Sequence, residues 1–160
     1  MSATELPRCQ FVKEEDTATG KWLKLSKITY TDPAGKERLW EAVKRTTRLP
    51  GNTADAVVSI PILRRTLYYD CFVLVKQYRP PIKAYSLEFP AGLLDPKETP
   101  ETCALRELKE ETGYTGIAKH TSPATSLEPG VGDMSAHFVT VEIDGDLPEN
   151  IKPKMESGCH

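Results

Sequence analysis

Long apolar runs are missing from this 160-residue chain: the longest, CFVLV from Cys71 to Val75, spans only five residues. A membrane-spanning helix needs roughly 20. The opening MSATELPRCQ has no apolar core of the kind that directs secretion, so a cytoplasmic or nuclear location is expected. Cysteine is sparse. Cys9, Cys71, Cys103 and Cys159 form no CxxC pair and no Cys/His zinc spacing, which favours buried or idle thiols over a metal site. Charge of one sign is lacking as well. Twenty-one Lys and Arg against 23 Asp and Glu leave a net charge of −2, which invites neither nucleic acid nor an anionic membrane as a partner. There is no internal repeat and no low-complexity tract.

The charge is unevenly divided. Residues 1–50 hold ten Lys and Arg against seven Asp and Glu, and residues 51–160 hold eleven against sixteen. Residues 1–20 are polar and read as a flexible N-terminus. From Lys21, WLKLSKITYTD alternates with β-branched and aromatic residues, DPAGK marks a turn, and ERLWEAVKRTTR resumes an extended pattern. Residues 21–50 therefore form a β-strand region, and LPGNTADA breaks the chain before a second domain over 51–160. There AVVSIPIL and DCFVLVKQY read as strands joined by RRTLYY, YSLEFPAG as a short strand ending in a turn, and AHFVTVEID as a late strand. HTSPATSLEPGVGD reads as a loop, and GDLPENIKPKMESGCH, without periodicity, as loop or disorder. Strands outnumber helices, so the fold class is α+β.

One segment is strongly helical, TPETCALRELKEETG. Thr99 is the candidate N-cap, Pro100 suits the first turn, and Gly113 falls just past the C-terminus. At about 100° per residue, Glu107, Glu110 and Glu111 fall within an arc of about 100°, beside the apolar side carrying Ala104 and Leu108. Like charges three and four apart destabilise a helix by about 0.2–0.5 kcal/mol per pair, and negative charge in the last turn opposes the helix dipole. Arg106, four residues before Glu110, relieves only part of this. A helix that tolerates such a cluster either presents a solvated face or uses it for chemistry.

The preceding loop decides between them. Gly92, five residues, Glu98, seven residues and then Arg106-Glu107-Leu108-Lys109-Glu110-Glu111-Thr112-Gly113-Tyr114 spell the Nudix box, GX5EX7REUXEEXGU. Tyr114 stands at a final position that is usually aliphatic. Hard divalent cations take oxygen ligands, and a loop–helix–loop that clusters glutamates presents them. KWLKL, WEAVKRTTR, KQYRPP, LEFPAGL and LEPG extend the match, so that Lys21 to Lys154 resembles the Nudix hydrolases, and within them the animal ADP-sugar pyrophosphatases. Pro129, sixteen residues after Gly113, agrees with the ADP-ribose-type members.

The resemblance implies a fold: a Nudix α/β/α sandwich with a mixed sheet, preceded by an antiparallel strand domain exchanged between the subunits of a homodimer. It also implies an activity, magnesium-dependent hydrolysis of ADP-ribose and other ADP-sugars to AMP and a sugar 5-phosphate. Manganese would be able to replace magnesium, and oxidised guanine nucleoside diphosphates would be side substrates. By the same resemblance, Glu107, Glu111 and the Ala91 carbonyl ligate metal, and Glu110 is an accessory ligand or supports them. Arg106 orients the glutamates, and Glu98 stabilises the loop. Trp22 and Trp40 clamp adenine from two subunits, Arg45 and Arg79 contact the diphosphate, Glu88 lies toward the metal or terminal ribose, and Leu93 lines the substrate site. Without the resemblance, two tryptophans in a hairpin read as core packing. Similar enzymes continue past the KPK-like loop with a strand, a long helix and a general-base glutamate, so these parts are expected to be missing here, and Glu156 is out of register for the base. The alternatives to a working enzyme are a non-catalytic ADP-ribose or nucleotide binder and an unstable truncated subunit.

Overall fold

The computed structural model describes residues 8–48 and 51–155. They fall into two compact units, one running to Arg48 and including Ser126–Met134, the other holding the remainder.

The first unit is an antiparallel sheet in the order β1 (Gln10–Thr19), β2 (Leu23–Thr31) and β3 (Glu37–Arg45). The β2–β3 register runs from Leu23 opposite Arg45 to Thr31 opposite Glu37. Asp32 sets the turn: its Oδ1 accepts from the amides of Ala34 and Lys36, both at 3.0 Å, and Gly35 supplies the positive φ of 78°. The polar stretch expected to fray is, from Gln10 onward, strand β1; residues 1–7 lie outside the described residues. Backbone pairing needs no apolar side chains, and here charge pairs across the sheet support it. Asp16 accepts from Ser26 at 2.7 Å and Lys24 at 3.0 Å, and Glu14 from Lys44 at 2.7 Å. The segment 126–134, read above as loop, lies along β3. Val43 N–H donates to Val131 O at 2.8 Å, and a Cβ on Gly132 would overlap the Val43 carbonyl.

The second unit is built on a six-stranded mixed sheet. Its path is β10 (Thr125–Ser126), β11 (Ser135–Asp144), β4 (Ala56–Arg65) and β5 (Tyr68–Phe72), with β8 (Ala91–Leu93) also on β4 and β9 (Ile117–Thr121) also on β11. β4 and β11 run parallel, from Ala136 opposite Ala56 to Asp144 opposite Arg64. Alternate β4 residues Val57, Ser59, Pro61 and Leu63 are buried, the period-two pattern of a strand with a covered face. Pro61 has no N–H to give, and it falls where β4 changes partner from β8 to β5. The expected strand DCFVLVKQY is divided: β5 ends at Phe72, and β6 (Val75–Arg79) joins β7 (Ala84–Glu88) in a separate two-stranded ribbon.

Helix α1 (Pro100–Thr112) packs Cys103, Ala104 and Leu108 against Val57, Val139, Val141 and Ile143. Its caps are those the sequence predicts. Thr99 Oγ1 accepts from the Thr102 amide at 3.2 Å, and Gly113 closes the helix at φ 78° with its N–H on Lys109 O at 2.9 Å. Two expectations fail nearby. β9 (Ile117–Thr121) runs two residues, His120 and Thr121, into the segment HTSPATSLEPGVGD read as loop, and a one-turn helix, α2 (Pro148–Ile151), stands where no order is expected. Buried Asn150 anchors α2: its Oδ1 accepts from Thr115 N at 2.9 Å, and its Nδ2 donates to Thr115 O at 3.0 Å and Asp144 O at 2.8 Å. A single satisfied polar anchor leaves no periodic trace. Glu156 and Cys159 lie outside the described residues. Cys71, placed by sequence in an apolar strand, is exposed on β5, and Cys103 is buried. The α/β/α expectation is met on one face, by α1; among the described residues no second long helix is present.

Candidate active site

The glutamates of α1 are organised around one arginine. Arg106 grips Glu98 by two contacts of 3.0 Å, Nε on Oε1 and Nη2 on Oε2. Its Nη2 also reaches Leu93 O at 3.3 Å, and its Nη1 donates to Glu107 at 2.7 Å and Glu110 at 3.4 Å. Glu98 in turn accepts from the Asp95 amide at 3.1 Å, tying the loop to itself ahead of the helix. The Arg106 hydrogen bond holds the Glu98 carboxyl below the usual range. Gly92 earns its place in the motif by contact, since a Cβ there would overlap the Glu107 carboxylate.

Glu107 and Glu111 are the members whose charged forms burial disfavours. Burial raises the pKa of both, Glu107 against the pull of Arg106 and Glu111 against the Ala91 amide, which donates to Glu111 Oε2 at 3.2 Å. Glu111 also feels Glu107, Arg79 and Glu88 electrostatically, so those four groups share one region. Cys103 beneath them is inert, its thiol pushed up to about 12 by burial.

β6 and β7 supply the remaining charges of this unit. Arg79 Nε lies 2.8 Å and Nη2 2.5 Å from the two oxygens of Glu88. This pairing was not legible in the sequence. Its signal is an arginine and a glutamate on the two strands flanking the Pro80-Pro81 turn, a pattern that specifies no partner by itself.

The second unit therefore brings together Arg79, Glu88, Ala91, Leu93, Arg106, Glu107, Glu110 and Glu111. Trp22, Trp40 and Arg45 belong to the first. Both indoles are exposed, at 59% and 47%, so core packing is not their role. Lys21 Nζ stands 4.6 Å over the Trp22 ring, Trp40 Nε1 donates to Gly130 O at 3.2 Å, and Arg45 Nε is buried without a hydrogen-bond partner. Thr46 N–H donates to Trp22 O. Trp40 is six residues before Thr46, about 20 Å at strand rise, so the backbone positions that carry the two indoles lie far apart.

The donor set suits a hard divalent cation. Among the described residues no group of three or more His, Cys, Asp or Glu side chains forms a ready cage. Magnesium does not demand one, because it is held through one or two carboxylates with water and substrate phosphate completing the shell. Half-buried Glu107 and Glu111, disfavoured in their charged forms by burial, are carboxylates that gain from such a charge.

Comparison with known proteins agrees with this geometry. The ADP-sugar pyrophosphatase of Mus musculus is 53% identical over 145 residues, taking in 91% of this chain and 66% of its own length. The ADP-ribose pyrophosphatase of Saccharomyces cerevisiae is 46% identical over 140 residues, 87% of this chain and 60% of its own. The chain thus spans less than two thirds of the length of these curated relatives. A crystal structure of an ADP compounds hydrolase shares the fold, with a TM-score of 0.66 at 23% identity over 94% of this chain and 77% of that one. The family model of the NUDIX domain matches residues 53–159. That span contains the Gly92–Gly113 motif together with the sheet and helix that shape it, and the chain belongs to the Nudix family.

Proposed function

We propose that this chain hydrolyses the diphosphate bond of ADP-ribose and related ADP-sugars, with magnesium, to AMP and a sugar 5-phosphate. The observation that carries the reading is the pair of half-buried carboxylates, Glu107 and Glu111, with the Arg79 guanidinium in the same electrostatic neighbourhood. The names of the mouse and yeast relatives support an ADP-sugar as substrate.

In this mechanism Glu107 and Glu111 hold magnesium, and Arg106 fixes Glu107 and Glu110 in place while Glu98 fixes Arg106. When bound, the metal draws charge from the phosphoryl oxygens and activates water. Arg79 offers N–H groups to the diphosphate, where negative charge develops on the leaving phosphate. Trp22 and Trp40 present flat aromatic faces to adenine. With backbone positions about 20 Å apart, they are placed to clamp a single ring if two chains contribute one each, which supports a homodimer built through the N-terminal strands.

AMP release from ADP-ribose tests the proposal, measured with magnesium on the chain and on Glu111→Gln side by side. Turnover in the first and its loss in the second is the expected result. Equal release from both, or from neither, would overturn it.

A further inference from the structure

The Arg79–Glu88 pair does work that neither residue type announces. Both residues sit on the β6–β7 ribbon, Arg79 at its turn end opposite Ala84 and Glu88 at its base opposite Val75. The Arg79 side chain thus lies back along the ribbon to meet Glu88, with Nε at 2.8 Å from one carboxylate oxygen and Nη2 at 2.5 Å from the other. A guanidinium has five N–H donors in a planar fork. Glu88 occupies the Nε/Nη2 edge and leaves three donors, among them the parallel pair on the Nη1/Nη2 edge. That free edge is the one that grips a phosphate with two hydrogen bonds.

We infer that Glu88 is a positioning residue that acts through Arg79: it clamps one edge of the guanidinium so that the other is aimed at the substrate diphosphate, and it is not a metal ligand. This rests on the proposed ADP-sugar reading and assigns Glu88 a place within it. The pair is half-exposed, with relative side-chain exposures of 48% for Arg79 and 27% for Glu88. A surface pair of this kind adds little to stability. Its value lies in restricting a long side chain before the ligand arrives, which removes part of the ordering cost from binding. The pair also neutralises itself, so Glu88 does not add a repelling charge beside the diphosphate.

A double-mutant cycle on the full chain tests this. ADP-ribose affinity is measured by calorimetry without metal for the wild type, Glu88→Gln, Arg79→Ala and the double variant, and circular dichroism checks that each is folded. The magnesium concentration giving half-maximal turnover is measured in parallel. Expected are about a tenfold loss of affinity in Glu88→Gln, a larger loss in Arg79→Ala, and no further loss in the double variant. Magnesium half-saturation in Glu88→Gln should match the wild type. Additive losses would overturn the inference, as would unchanged ADP-ribose affinity with a raised magnesium requirement, the signature of a metal ligand. Metal-free binding without turnover in the wild type would defeat the hydrolase reading alone and leave the cycle legible. A wild-type chain that does not bind ADP-ribose would overturn both.

Discussion

Glu107 and Glu111 are held where their charged forms are disfavoured, and this has a pH signature. Burial raises both folded values above the ordinary 4.5, so near and above that pH the folded chain retains protons that the unfolded chain has released. Stability is then greatest below the ordinary value and falls as pH rises through the raised folded values. Without metal, Glu111→Gln should therefore melt higher than the wild type at pH 7, with the gain vanishing near pH 4 in a thermal denaturation series. Its amide oxygen can still accept from Ala91, so the fold is kept. Turnover should fall by about 100-fold or more, because a ligand for charge stabilisation is removed. Glu98 has the opposite sign. Arg106 lowers its folded value, so its contribution is present above 4.5 and lost as pH falls through that lowered value. Glu98→Gln should cost about 1–3 kcal/mol at neutral pH, with the difference from wild type narrowing in acid, as urea denaturation at two pH values would read.

At the scale of elements, the loop–helix–loop is set by its two terminal glycines for different reasons. Gly92 is needed for close approach: a Cβ would meet the Glu107 carboxylate, while the backbone there is ordinary. Gly92→Ala should displace Glu107 and raise the magnesium requirement with little change in melting temperature, a split that metal titration and thermal denaturation resolve. Gly113 is needed for conformation and space together. Its φ is 78°, and a Cβ would overlap the backbone of Lys154. Gly113→Ala should therefore destabilise the chain by more than the 1–2 kcal/mol that left-handed backbone alone costs a non-glycine residue, with urea unfolding as the measure. Both glycines are legible in the sequence as motif positions. That one guards a carboxylate and the other a crossing backbone is not, because Lys154 is 41 residues away from Gly113 along the chain.

On the scale of the molecule, the first unit exposes Phe11, Trp22, Leu23, Leu39 and Trp40, and Leu39 and Trp40, consecutive on β3, point to opposite faces of its sheet. The proposed homodimer would cover the face that carries Leu39. Leu39, 59% exposed on β3, is the place to test it. A charge there, Leu39→Asp, should leave each chain folded and shift sedimentation from dimer to monomer. If adenine is clamped by two chains, the same variant should lose ADP-ribose affinity without altering the magnesium requirement.

Helix α1 was decided locally. Its caps at Thr99 and Gly113, its apolar side and its crowded glutamates depend on neighbours three and four residues away, so the sequence alone determined α1 and named the residues on its acidic face. The β2–β3 hairpin was equally local, set by Asp32 and Gly35. What the tertiary structure decided lies between distant residues. β1 is a strand because β2 offers it a backbone partner, not because its own side chains are apolar. α2 stands because Asn150 finds the backbone of Thr115 and Asp144, and the 126–134 segment joins the first unit by docking on β3. The Arg79–Glu88 clamp depends on how a ribbon folds a long side chain back along itself. Periodicity records which face a residue shows; it carries no record of which remote donor or acceptor will complete its hydrogen bonds.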